Sequence, residues 1–180
     1  MIIVYGTASS GKSNIAENMA VEISKENNTP LVYIATMESD SDVAKIRISK
    51  HRKAREGKGF YTIEEPNKLI VHILSVREKT VLLECVSNYC ANVYYKNFGD
   101  TVATNEEIDK LTETIVTQII ALSKSAKELI IVSNDIFRDG IQYDEWTESY
   151  CKLLAHVNEE LTNSCDSFYE VVNGIAHKIV

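Results

Sequence analysis

Apolar positions along this chain fall in two rhythms, short solid runs and longer stretches with an apolar residue every three or four positions. Met1-Ile2-Ile3-Val4-Tyr5 is a solid run and reads as a buried strand, and Ile15, Ala16, Met19, Ala20 and Ile23 mark a helix after it. Residues 31 to 35 (Leu-Val-Tyr-Ile-Ala) predict a second strand and residues 41 to 56 a helix crowded with Lys and Arg. Residues 66 to 76 read as a short helix begun by Pro66, a residue favoured in a first helical turn. Residues 80 to 85 predict a third strand ending in Glu84-Cys85, and 87 to 97 a helix. Ile108, Leu111, Ile115, Ile119 and Leu122 stripe a longer helix, and residues 129 to 133 form a fourth apolar run. Trp146, Tyr150, Leu153, Val157 and Leu161 stripe the last helix, where an aromatic row at this spacing reads as core. Residues 168 to 172 and 175 to 180, separated by Asn173-Gly174, predict a closing hairpin. Strands alternating with helices imply an α/β fold, a mostly parallel sheet covered on both faces with an antiparallel C-terminal edge.

Between the first strand and the first helix stands Gly6-Thr7-Ala8-Ser9-Ser10-Gly11-Lys12-Ser13, a complete G-x-x-x-x-G-K-[ST] string. Strand, glycine loop and helix in that order are the context a phosphate-binding loop requires. Its backbone N–H groups and the helix N-terminus favour a nucleotide's phosphates. Lys12 would neutralise the β- and γ-phosphates, and the Ser13 hydroxyl would ligate Mg²⁺. The sequence therefore predicts a nucleoside triphosphate site on a P-loop NTPase-like, three-layer α/β/α fold. Glu84, at the carboxyl end of a predicted strand, stands where such a protein keeps the acid that holds Mg²⁺.

Composition narrows the partners. The 180 residues are 44% hydrophobic and 25% charged, a balance expected of one domain over 1–180. No apolar run approaches the roughly 20 residues of a membrane span. Four cysteines (Cys85, Cys90, Cys151, Cys165) form no C-x-x-C pair, which predicts packed, reduced thiols and a cytoplasmic setting. The net charge of −7 conceals a basic segment: residues 45 to 58 carry seven Lys/Arg against one acid, Glu56, leaving −13 elsewhere. So acidic a remainder argues against broad nucleic-acid binding. A compact basic segment instead suits a small polyanion. Arg47, His51 and Arg55 are spaced four apart and would share one helical face, which places a histidine between two cations, although a solvated basic helix has the same spacing.

Several of these strings together carry a family resemblance that runs nearly end to end. They are Gly6 to Ser13, Tyr33-Ile34-Ala35-Thr36, Arg47-Ile48-x-x-His51-x-x-x-Arg55 and Thr62-Ile63-Glu64-Glu65-Pro66. To these add Leu82-Leu83-Glu84-Cys85, Asn92, Val132-Ser133-Asn134, Gly140-Ile141, Asn158 and the closing Gly174-Ile175-x-x-Lys178. The chain resembles the bifunctional adenosylcobinamide kinase/adenosylcobinamide-phosphate guanylyltransferases of cobalamin biosynthesis. The resemblance implies phosphorylation of the hydroxyl on the corrinoid's aminopropanol arm, then transfer of GMP from GTP to that phosphate through a guanylylated histidine. Carried over, His51 would be the covalent nucleophile, and Gly6 to Ser13 would hold GTP or ATP. Thr36, Arg47, Arg52, Arg55, Glu64 and Glu84 would be further nucleotide contacts, with Ser13 and Glu84 on the metal. Arg47 and Arg55 would spread charge on the phosphoryl oxygens. His72, His156 and His177 lack such company and read as surface residues.

The resemblance also implies a homo-oligomer, a trimer. Tyr89, Tyr94 and Tyr95 on a predicted helix suit an interface, and suit core packing equally. The chain departs from the family pattern at 135 to 159, with Ile136-Phe137-Arg138-Asp139-Gly140 after Asn134-Asp135, Glu148, Tyr150-Cys151-Lys152 and Asn158-Glu159; Phe60 replaces a Trp. The expectation is an intact GTP site and an altered corrinoid site, unless Glu148 and Lys152 compensate by pairing across one helical turn. Two further readings fit the glycine loop. One is another small-molecule P-loop kinase without the covalent histidine, the other a non-catalytic GTP-binding regulatory module.

Overall fold

The computed structural model describes residues 1–39, 41–137 and 140–180. Seven strands form one sheet in the order β3-β2-β4-β5-β1-β6-β7: β1 (Ile2–Gly6), β2 (Leu31–Ala35), β3 (Tyr61–Glu64), β4 (Thr80–Glu84), β5 (Glu128–Asn134), β6 (Ser167–Val172) and β7 (Ile175–Lys178). All neighbours run parallel except β6 and β7, which pair antiparallel at the C-terminal edge. The helices are α1 (Lys12–Asn27), α2 (Asp42–Arg55), α3 (Val86–Phe98), α4 (Asn105–Ser125) and α5 (Glu145–Asn163).

The solid apolar runs are explained by burial on both faces. Ile3, Val32, Ile34, Val81, Leu83, Leu129 and Ile131 point to one side, where α3, α4 and α5 bury Tyr89, Ile115 and Leu153. Val4, Leu31, Tyr33, Leu82, Ile130 and Val132 point to the other, against Ala16 and Ala20 of α1. Such strands alternate in space while staying apolar in sequence. The helix starts follow their caps: Thr104 and Glu107 form a reciprocal capping box at α4, and Asp144 accepts from the Thr147 amide at α5.

One predicted helix needs correction. Residues 66–76 are not an α-helix: only Leu69–His72 turn, as a 3-10 element, with irregular turns following. Leu69 and Val76 anchor this stretch in the core, with Ile73 packed beside them, while Val71 and Leu74 face solvent. Just before it, Tyr61–Glu64 forms β3, an edge strand that half-exposed residues conceal. Of the three tyrosines for which an interface and core packing were equally open, Tyr89 and Tyr94 are fully buried in the core and Tyr95 is exposed.

Helix α2 is different in kind. Ser41 caps it by accepting from the Ala44 amide, Asp42 lies in its first turn, and Arg52, Lys53 and Arg55 in its last, all matched to the helix dipole. Of its 14 residues only Arg55 is buried, and Val43 and Ile46 are exposed. Capping and charge define this helix more than an apolar face does.

Candidate active site

The glycine loop closes the carboxyl end of β1. Gly11 takes φ +93°, a left-handed conformation costly for any residue with a Cβ, and α1 starts directly after it. The closing hairpin rests on the loop. Asn173 and Gly174 turn with positive φ, and the Gly174 amide donates to the Ser10 carbonyl at 2.8 Å. A Cβ on Gly11 would stand 3.2 Å from Gly174 Cα. The Gly174-Ile175-x-x-Lys178 string therefore seats a hairpin on the phosphate loop. Lys12 is buried and its ammonium donates to the Thr7 carbonyl at 3.0 Å, so it spans its own loop. Burial lowers the Lys12 pKa, and the neighbouring Cys85 and Glu84 oppose that shift. Ser10 Oγ is buried with no partner and Ser13 is half-buried.

Glu84, at the end of β4, is the centre of the constellation. Its carboxylate is buried; Oε2 accepts from the Tyr33 hydroxyl at 3.1 Å, and Oε1 lies 3.7 Å from His51 Nδ1 on α2. Burial, and next the charge of Glu84, push the Tyr33 phenol well above its ordinary range, so it remains a donor. The Arg55 guanidinium lies over the Tyr33 ring, 3.5 Å from its centroid, with Nη1 buried and unpartnered. Glu17, four residues after Ser13 on α1, is buried and accepts from Lys58 Nζ at 2.7 Å. Glu17, His51 and Glu84 each offer a ligand atom, all within 4.8 Å of one another. Two carboxylates beside a phosphate loop fit a hard cation such as Mg²⁺.

The predicted residues thus divide. The loop, His51, Arg55 and Glu84 converge. Arg52 and Glu64 pair with each other in an exposed ion pair that ties α2 to the end of β3. Arg55 turns inward onto Tyr33 while Arg47 stays exposed and faces a separate hollow with Asn88 and Asn92. Thr36 is a brace. It is fully buried, its hydroxyl donates to the Cys85 carbonyl (2.8 Å) and accepts from the Cys85 amide (2.7 Å), and its carbonyl accepts from Asn92. Its hydroxyl is therefore engaged within the fold and braces the turn after β4. Asn158 is likewise internal and accepts from Ser133 Oγ at 2.7 Å.

His72 also differs from expectation. It is partly buried, with Nε2 2.9 Å from Glu65, whose carboxylate also accepts from the amides of Asn67 and Lys68. Lys152 donates to Asn105 on α4 instead of pairing with Glu148. Arg138 and Asp139 lie outside the described residues. Glu17 and Tyr33 were the residues sequence reasoning missed. Glu17 carried a signal, an acid one helical turn beyond Ser13 and beside the buried Ala16; Tyr33 looked like ordinary strand core.

Comparison with known proteins gives the family and the fold type. The model of the family described as cobinamide kinase / cobinamide phosphate guanyltransferase matches residues 2–179. The chain is 25% identical over 175 residues to the bifunctional adenosylcobalamin biosynthesis protein CobP of Pseudomonas aeruginosa, covering 96% of this chain and 93% of that protein. Among solved structures, one described as an ATPase domain superposes with a TM-score of 0.51 at 10% identity, covering 94% of this chain and 68% of that one. At that identity the likeness concerns the fold alone, an ATPase-type α/β domain.

Proposed function

Because this chain belongs to the cobinamide kinase / cobinamide phosphate guanyltransferase family, we propose that it phosphorylates the aminopropanol hydroxyl of cobinamide and then transfers GMP from GTP to that phosphate through His51. The kinase and guanyltransferase activities are those of the family. The residues carrying them here are our reading, and the observation behind it is the approach of His51 Nδ1 to the buried Glu84 carboxylate beside the phosphate loop.

A neutral imidazole has one nitrogen protonated and the other free to attack. A carboxylate facing Nδ1 favours the proton there and leaves Nε2 as the nucleophile, as in other carboxylate-oriented histidines. Nε2 forms a bond to the α-phosphorus of GTP as the bond to pyrophosphate breaks. An oxygen of cobinamide phosphate then attacks the same phosphorus, the N–P bond breaks, and its electron pair returns to the ring. Lys12 and the loop amides hold the triphosphate in both activities, and Arg55, with one buried N–H unpartnered, is a donor available to a phosphoryl oxygen. Ser13, Glu17 and Glu84 would hold Mg²⁺, which supplies charge neutralisation on the phosphates when bound. Arg52 and Glu64 lie at the rim as nucleotide contacts. One unit spanning 1–180 performs both steps, assembled as a trimer.

The test is to supply cobinamide with ATP or GTP and Mg²⁺ and separate the products. The expected products are cobinamide phosphate and then its guanylylated form. GTP binding without conversion of cobinamide would contradict the reading and favour a regulatory module.

A further inference from the structure

A hollow separate from the phosphate loop opens beside Arg47, one helical turn before His51 on α2. Met37 and Glu38 after β2, the α2 cap Ser41, Val43, Ala44 and Arg47 on the first half of α2, and Asn88 and Asn92 on α3 line a cavity of about 240 Å³. Its groups are unevenly committed. Asn92 gives both amide hydrogens to the carbonyls of Thr36 and Pro66, and Glu38 accepts from Asn67. Among the described residues, the side chains of Arg47 and Asn88 have no hydrogen-bond or ion-pair partner. Val43 is 61% exposed at the cavity wall, with Ile46 69% exposed beside it on the helix, an apolar lip on an otherwise basic helix. Concavity, an apolar lip and a few free polar groups are the marks of a small-molecule site.

Its position matters more than its size. Arg47 precedes His51 by four residues on α2, so the two share a face about 6 Å apart along the axis. His51 faces Glu84 and the phosphate loop, whereas Arg47 faces the cavity. A group transferred through His51 must be received from a neighbouring site, and this cavity is one helical turn away.

We propose that this cavity is the acceptor subsite. Arg47 takes the phosphate monoester of cobinamide phosphate, Asn88 hydrogen-bonds the amide-bearing arm behind it, and Val43 and Ile46 carry the apolar edge of the corrin. This rests on the guanylyl-transfer reading above and moves Arg47 from the donor nucleotide to the acceptor. It also moves the principal acceptor contacts away from residues 135 to 159.

The experiment compares native protein with Arg47→Ala and Asn88→Leu in two measurements. Equilibrium dialysis against cobinamide phosphate, without nucleotide, should show Kd raised about 10- to 100-fold in Arg47→Ala, the loss of a hydrogen bond to a charged group. Asn88→Leu, which keeps Arg47, should raise it severalfold. In the second, protein pre-labelled from GTP is mixed with cobinamide phosphate, and the rate of label discharge should fall at least roughly tenfold further than the rate of self-labelling. Native-like Kd in both variants, no binding by native protein, or equal falls in labelling and discharge would overturn the proposal. Native protein that binds cobinamide phosphate in an Arg47-dependent way but never labels from GTP would instead support the subsite and remove the covalent-histidine reading.

Discussion

Replacing Tyr33 with Phe probes how Glu84 is held. The substitution keeps the ring beneath the Arg55 guanidinium and the edge contact to Phe60, whose centroid lies 5.8 Å away, and deletes only the hydroxyl. That hydroxyl donates to Glu84 Oε2 at 3.1 Å in a buried environment, so its removal leaves a carboxylate oxygen unpaired. A hydrogen bond to a charged group contributes about 1.5–3 kcal/mol. For a chain of this size each kcal/mol moves the melting temperature by about 2–4 °C, so the variant should melt roughly 3–12 °C lower. The kinetic consequence follows from Oε1 of the same carboxylate, which faces His51 Nδ1. A carboxylate free to rotate no longer fixes the imidazole, and misplacement of a reacting group by about 1 Å costs on the order of 100-fold in rate. Self-labelling from α-labelled GTP should therefore slow roughly 10- to 100-fold, while GTP affinity changes little because Tyr33 lies beneath the site and not at the phosphate loop. Differential scanning calorimetry and single-turnover labelling make the two measurements. A lower melting temperature with unchanged labelling would refute the role of Glu84 in orienting His51, and unchanged values of both would refute the hydrogen bond itself.

Three other perturbations follow from the same geometry. Lys12→Ala should weaken GTP binding by on the order of 2–5 kcal/mol in a calorimetric titration, because a buried phosphate partner is removed; an unchanged Kd would sink the phosphate-loop reading. Gly11→Ala should destabilise the protein by about 1–2 kcal/mol for its φ of +93° alone, with a further loss from the 3.2 Å approach to Gly174, read as a lower melting temperature. Burial raises the Glu65 carboxyl, but hydrogen bonds from Asn67, His72 and Lys68 hold it net below its ordinary 4.5. A depressed carboxyl contributes stability that is present above pH 4.5 and lost as pH falls through the folded value, so Glu65→Gln should be less stable near neutrality and show a flatter acid limb in a melting-temperature profile.

The sheet order could not be read from the chain, yet most of its strands could, because central parallel strands must be apolar on both faces and so announce themselves as runs. β3 escaped for the opposite reason. As an edge strand it exposes Tyr61 and Glu64, and Thr62 and Ile63 are only partly covered. The 66–76 stretch misled because Leu69, Ile73 and Val76 repeat at helical spacing, although the chain between them serves Glu65 and a 3-10 turn. In the site, the glycine loop, His51 and Glu84 were legible from local patterns. Tyr33 and Glu17 were not, since their roles arise only when β2 and α1 are brought against Glu84. Thr36 shows the converse, a motif residue whose hydroxyl is bound within the fold.

Transfer through a covalent adduct on His51 stands or falls on where that adduct forms. Protein incubated with α-labelled GTP and Mg²⁺ is proteolysed under alkaline conditions, which preserve a phosphoramidate, and the modified peptide is sequenced by mass spectrometry. The expected result is one GMP on His51, lost in acid, absent in His51→Asn, and discharged by cobinamide phosphate. Labelling at native level in His51→Asn, or GMP on another residue, would contradict it.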